Sequence, residues 1–246
     1  MKDICLVGYG RWGKILLPKL NDICKGKVHV IRGRDIQSIK RLPDCSWFFV
    51  ATPDHTHYEI VKHCLLNGKN VFCEKPLTLS LEKSKELFEI SSKMGTRLYV
   101  SDVENYGKND IKINKKNYFY RTKQQKILNP IDVLEMLFYH DAYMIKDYIE
   151  RGEVKNISIK KLDKSNVKFK IIFENTQVDF EYVFEQKETQ HKLNNTDIDR
   201  TTDKLSIMIR DVLKNNVDYQ KNKNSALFAN KIIDLVKEEI KKKELV

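Results

Sequence analysis

The sequence predicts an α/β protein: a doubly wound parallel sheet joined to a smaller α+β domain with an antiparallel sheet. Two observations carry that expectation. From Ile4 to Val100, short and nearly continuous apolar runs alternate with amphipathic stretches, and eight of the nine glycines lie at or before Gly107. Beyond Gly107 the apolar residues alternate instead with charged ones, as in strands that keep one face wet.

The runs Ile4 to Val7, Val28 to Ile31, Trp47 to Ala51, Asn70 to Cys73 and Arg97 to Val100 read as strands, with helices around 12–22, 55–67 and 80–94 between them. The second and third of these helices run into Gly68 and Gly95, which suit the left-handed conformation that closes a helix. Strands separated by helices imply βαβ units and a parallel sheet covered on both faces. Later, Tyr118 to Arg121 reads as a strand and about 130–150 as one long helix. Val167, Phe169, Ile171 and Phe173, then Val178, Phe180, Tyr182 and Phe184, form a predicted antiparallel hairpin turning near Asn175-Thr176, with opposite charges able to pair on its wet face. The polar segment 188–202 reads as a loop, and two helices close the chain. The expected division is a nucleotide-binding domain over 1–101 and an α+β domain over 102–246, with the last helix packing back on the first domain.

The 246 residues carry 45 Lys plus Arg against 34 Asp plus Glu, a formal charge of +11. The excess is spread over both halves, as on a lysine-rich solvated surface, so nucleic acid is not an expected partner while small anions are. No window reaches the roughly 18 apolar residues of a membrane helix, and a cytoplasmic protein is expected. The five cysteines, Cys5, Cys24, Cys45, Cys64 and Cys73, contain no Cys-x-x-Cys pair and mostly sit in apolar runs. They read as structural thiols, with no metal site expected.

Chemistry is written first at Gly8-Tyr9-Gly10-Arg11-Trp12-Gly13, a G-x-G-x-x-G directly after the first strand and opening a helix. In that setting one glycine allows the tight turn, Gly10 lets backbone amides approach a pyrophosphate, and Gly13 lets the helix pack on the strand. This is a Rossmann fingerprint for a dinucleotide. About 20 residues on, where an acid would bind the ribose of NAD, the chain reads Val30-Ile31-Arg32-Gly33-Arg34-Asp35. Arg32 and Arg34 suit a 2′-phosphate, so NADP is favoured over NAD.

Two further motifs follow predicted strands: Ala51-Thr52-Pro53-Asp54-His55-Thr56-His57 after the third and Cys73-Glu74-Lys75-Pro76-Leu77 after the fourth. Both fall at carboxyl ends of parallel strands, where open α/β sheets bind ligands. With the glycine loop they resemble the glucose-fructose oxidoreductase and inositol dehydrogenase family (Gfo/Idh/MocA), most closely over residues 1–101. The segment from Asp132-Val133-Leu134 to His140-Asp141 resembles the family's helix carrying a catalytic histidine.

The resemblance implies hydride transfer to or from a sugar or polyol carbon, with Lys75 orienting the substrate and relaying its proton and His140 acting as acid or base. It implies that Thr52, Pro53, His57 and Glu74 line the ribose and nicotinamide. It also points to C3 of a nucleotide-linked sugar as substrate, and to a homo-oligomer formed through the antiparallel sheet. By rough location, Tyr106, Tyr120, Arg121, Asp141 and Tyr143 are candidates for substrate contact. Family members often carry aspartates four residues before and three after the histidine, where this chain has Met136 and Tyr143. At α-helical spacing, Glu135 falls at the wrong angle to substitute. Those departures, with only three or four readable strands in the second domain, support a competing expectation of a catalytically reduced dinucleotide-binding sensor or partner subunit. A third expectation is an enzyme acting on an imine or a non-sugar carbonyl, because one fold hosts several chemistries.

Overall fold

In the computed structural model, residues 3–33, 36–107, 112–146, 149 and 153–244 are described. The chain divides into two units, Met1–Tyr106 with Asp203–Asn230 and Gly107–Thr202 with Lys231–Val246.

The first unit holds a sheet of β1 (Ile4–Val7), β2 (Val28–Ile31), β3 (Trp47–Val50), β4 (Asn70–Cys73) and β5 (Leu98–Val100). All four pairings are parallel, in the order β2-β1-β3-β4-β5. Ile4, Leu6, Phe49, Phe72 and Tyr99 cluster with Leu16 and Leu20 of α1 (Arg11–Ile23) and with Leu205, Met208, Ile209 and Val212 of α5 (Lys204–Lys214). Alternate residues such as Phe48, Val50, Val71 and Cys73 point to the other face, and α2 (His57–Leu66) lies against β3 and β4. Beside α2 runs α3 (Leu81–Lys93). Gly68 and Gly95 both take positive φ, as the helix ends require. All five cysteines are free and buried, and burial pushes the Cys5 and Cys64 thiols up to about 12, which makes them inert packing groups.

The long α6 (Tyr219–Glu244) contributes its first residues to this unit. There Asn222 imitates a strand partner: its Oδ1 accepts from Val100 N at 2.9 Å and its Nδ2 donates to Val100 O at 2.8 Å. Further along, Asn230 Nδ2 donates to Thr78 O at 2.9 Å.

The second unit is a six-stranded sheet in the order β11-β10-β6-β9-β8-β7. Its strands are β6 (Lys116–Thr122), β7 (Val154–Leu162), β8 (Asn166–Phe173), β9 (Gln177–Val183), β10 (Gln190–Leu193) and β11 (Thr196–Asp197). The β8–β9 hairpin has the expected register, and the opposed pairs Lys168–Glu181 and Lys170–Asp179 meet at 2.8 and 3.5 Å. Phe138 packs edge-on against Phe169 and Phe180, at 4.9 and 4.8 Å between centroids, so the segment before α4 (Tyr139–Ile145) covers the apolar face.

Four expectations are corrected here. The sheet is mixed, because β6 pairs with β9 in parallel. It also has more strands than the sequence pattern shows. Register shifts between Val154 and Asn156 and between Ile159 and Lys161 break the two-residue period of β7. The segment 188–202 is not simply a loop: β10 and β11 lie within it, hidden by polar outward residues and a buried inward histidine, His191. Finally, the helix expected over about 130–150 is a π turn over Leu134–Phe138 followed by the short α4, while residues 147, 148 and 150 lie outside the described residues.

Phe180 sits among Phe119, Phe138 and Phe169. Replacing it with alanine is expected to lower the unfolding free energy by about 3–5 kcal/mol, read by urea denaturation.

Candidate active site

The parallel ladder runs one residue past β1, β3, β4 and β5. Gly8 N donates to Ile31 O at 2.8 Å, Ala51 N to Val7 O at 2.8 Å, Glu74 N to Val50 O at 2.9 Å and Ser101 N to Cys73 O at 2.8 Å. The glycine loop, the Ala51-Thr52-Pro53 segment and the Glu74-Lys75-Pro76 segment are thereby set side by side at one sheet edge.

Gly8 adopts φ +96, and a Cβ on it would stand 2.6 Å from Ala51 O; a Cβ on Gly13 would stand 2.1 Å from Gly8 O. Side chains are excluded at both positions, which fixes the turn and the approach of α1. Gly10, the residue preceding α1, has open space where its Cβ would be and supplies no side-chain cap to the helix. The first amides of α1 therefore have no side-chain cap from Gly10, and no acidic residue in the first turn opposes an anion there. Arg11 and Trp12 are exposed there, Trp12 at 45%. The Tyr9 ring has the Arg32 guanidinium 5.0 Å and Lys14 Nζ 6.0 Å from its centroid, so two cations gather where β2 ends. Lys14 was not singled out by its spacing in the sequence; its position one helical turn into α1 brings it there. Arg34 lies outside the described residues.

Glu74 is buried, and its Oε1 has no hydrogen-bond partner. Burial pushes its pKa up to about 7 against the pull of the neighbouring Lys75 charge. An orphaned buried acceptor beside an anion cradle fits a hydroxyl-bearing ribose. Lys75 follows it, half-buried, ahead of a cis peptide to Pro76. Thr56 Oγ1 stands 2.8 Å from Thr52 Oγ1 and 2.6 Å from Pro53 O, which folds that loop on itself. His57 is 1% exposed, with Nδ1 2.8 Å from Pro76 O and Nε2 2.9 Å from Thr52 O. Burial lowers its pKa, while the two carbonyls favour the protonated ring. Its nitrogens are thus engaged inside the protein instead of lining the cradle. Tyr106 likewise belongs to an internal network, its hydroxyl 2.9 Å from that of Tyr99, which donates to Asp102 at 2.6 Å.

In the second unit, His140 is half-buried near the start of α4. Its neighbour Asp141 is fully enclosed. Arg121 Nη2 donates to Oδ1 at 2.6 Å and Arg121 Nε reaches both oxygens, while His191 Nε2 lies 2.9 Å from Oδ1 and Tyr182 OH donates to Oδ2 at 2.9 Å. Burial alone would raise the Asp141 pKa, but the Arg121 and His191 charges outweigh it and hold the carboxyl below its usual value. Arg121, Asp141 and the buried Tyr143 therefore present little or no surface to a ligand. Tyr120, half-buried, stacks on Tyr118 at 6.0 Å.

The π turn changes the geometry before His140. Tyr139 N bonds back to Leu134 O, five residues away, so the 3.6-residue spacing does not hold across the segment before His140. Glu135 forms an ion pair with Lys237 of α6. Periodicity at 3.6 residues could not reveal this, because the inserted residue is a feature of the backbone.

Fold and glycine turn together have the form of a dinucleotide-binding Rossmann fold. Residues 24–102 match the model of an oxidoreductase family with an NAD-binding Rossmann fold. A glycosyl hydrolase family 109 protein of Streptomyces filamentosus is 32% identical over 81 residues, which is 32% of this chain and 16% of that protein. The chain thus aligns with only a minor part of the curated relatives' length. Among solved structures, UDP-N-acetylglucosamine 3-dehydrogenase GnnA from Acidithiobacillus ferrooxidans superposes with a TM-score of 0.78 at 13% identity, over 94% of this chain and 95% of that one. The WlbA dehydrogenase from Thermus thermophilus, in complex with NAD and UDP-GlcNAcA, gives 0.77 at 13% identity over 96% and 94%. At such identities the likeness shows the shared fold.

Two outcomes are expected of the buried carboxyls. Folded Glu74 holds its proton more tightly than in the unfolded chain, so it destabilises progressively as pH rises from 4.5 to about 7. Glu74→Gln should therefore stabilise the unliganded protein more at about pH 8 than at about pH 5, read by urea unfolding at both. Asp141→Ala leaves Arg121 buried without its carboxylate, and a loss of about 3–5 kcal/mol is expected by the same measurement.

Proposed function

We propose that this protein is an NAD(P)-dependent oxidoreductase that moves a hydride to or from a hydroxyl-bearing sugar carbon, with nucleotide-linked sugars as its substrate class. The observation that carries the reading is one sheet edge presenting both an uncapped helix N-terminus behind a glycine turn and the buried Glu74 beside Lys75. The amides at the start of α1 would hold the pyrophosphate, and Glu74 and Thr52 the ribose. Arg32, with Lys14 about the Tyr9 ring, favours a 2′-phosphate and hence NADP. The nicotinamide supplies hydride chemistry when bound.

Oxidation of a CH–OH group removes a hydride from carbon and a proton from oxygen. Lys75 is assigned to that oxygen: its ammonium stabilises a developing alkoxide, and its nitrogen passes the proton on. His140 is assigned as the second acid or base. The nucleotide-sugar class is supported by the names of the two dehydrogenases that share the fold and by the basic charge of the chain. The wet face of the second sheet is proposed as a contact between copies. A sensor or partner subunit without turnover is the second reading, favoured by the withdrawal of Asp141 and Tyr143 into the core.

The test is substrate-dependent change in NAD(P)H absorbance against UDP-sugars and free polyols; a preference for free polyols would contradict the substrate class, and no turnover on any would favour the sensor. Lys75→Ala should lower kcat by about 10²–10⁴-fold. Arg32→Ala should weaken NADPH binding about tenfold, or about 1.4 kcal/mol, and leave NADH binding unchanged, measured by calorimetric titration.

A further inference from the structure

We infer that His57 is a positioning residue, a buried clamp that ties the loop after β3 to the loop after β4 and so sets the place of Lys75. The inference rests on the proposed proton-handling role of Lys75. His57 opens α2 directly after the turn Asp54–Thr56, and its ring lies between two backbone carbonyls, Pro76 O at 2.8 Å from Nδ1 and Thr52 O at 2.9 Å from Nε2. One carbonyl belongs to the segment that would meet the ribose, the other to the residue immediately after Lys75. At 1% exposure the ring has no face left for a ligand, so whatever it does for the reaction passes through those two loops. A hydrophobic ring of the same size would fill the space but offer neither carbonyl an N–H, whereas the neutral imidazole donates to one of them and the protonated ring to both. Positioning of this kind matters because a misplacement of about 1 Å can cost about 10²-fold in rate.

The clamp also accounts for a difference in how two histidines of one motif are used. His55, two residues earlier, is exposed and bonded locally to Asp54. Only position 57 reaches across to the neighbouring strand's loop, which is a spacing requirement of the turn and helix start.

The test uses the full chain with His57→Phe, which keeps ring volume and removes both nitrogens, and His57→Gln, which keeps an amide donor. Lys75 acetylation by acetic anhydride, read by mass spectrometry against exposed lysines, needs no substrate. In the Phe variant it is expected to accelerate at least about fivefold as the loop is released, and kcat on whichever sugar turns over is expected to fall about 10–100-fold, with dinucleotide Kd changed by less than about threefold. The Gln variant is expected to recover part of both losses. Lys75 labelling and kcat equal to those of the parent in the Phe variant would overturn the inference, as would a Gln variant impaired as severely as Phe. Should the Phe variant not fold, the Gln variant decides: faster Lys75 labelling than in the parent supports the clamp, and parental labelling overturns it. A parent without turnover would contradict the oxidoreductase reading while leaving the labelling test of the clamp intact.

Discussion

Parallel hydrogen bonding carried one residue past the ends of β1, β3, β4 and β5 is the constraint on which the candidate site depends. It delivers Gly8, Ala51, Glu74 and Ser101 to a common edge, and it does so through backbone groups that no side-chain substitution can replace. Gly8 and Gly13 are then fixed by contact: each has a carbonyl oxygen where a side chain would begin. The open α1 terminus, the orphaned Glu74 oxygen and the place of Lys75 follow from that edge. A parallel sheet has all its strand ends of one kind on one side, which is why a ligand site collects there.

The second unit solves a different problem. A carboxylate, a guanidinium and an imidazole are enclosed together beneath α4, at a cost that only close pairing offsets. Arg121 meets Asp141 through two nitrogens and Tyr182 and His191 complete the shell. The arrangement pins α4 to three strands, β6, β9 and β10, and so holds the helix that carries His140. Asp141 thus acts on the candidate chemistry through the backbone it anchors.

The βαβ half was legible in the sequence because its signals are local. Strand runs of continuous apolar residues, Gly8 to Gly13 at a strand end, and the Thr52-Pro53 and Glu74-Lys75 segments each announce themselves within a few residues. The hairpin of β8 and β9 was legible for the same reason, its alternation and opposed charges lying close together. What could not be read was either irregular or distant. Bulges erased the period of β7, and the π turn broke the 3.6-residue period ahead of His140. The partners of Asp141 lie 20, 41 and 50 residues away. His57 was legible as a motif residue but not as a clamp, since one of its two carbonyls belongs to Pro76, 19 residues further on.

The central claim is that the glycine turn and α1 terminus form a working dinucleotide site. Trp12 stands in that turn, and its fluorescence overlaps the absorbance of reduced nicotinamide, so titration of the folded protein with NADPH and separately NADH reads occupancy directly. Saturable energy transfer from Trp12, tighter for NADPH than for NADH, is the predicted result. Absence of transfer and of binding heat with either dinucleotide would contradict the account and leave the glycine turn a purely structural joint between β1 and α1.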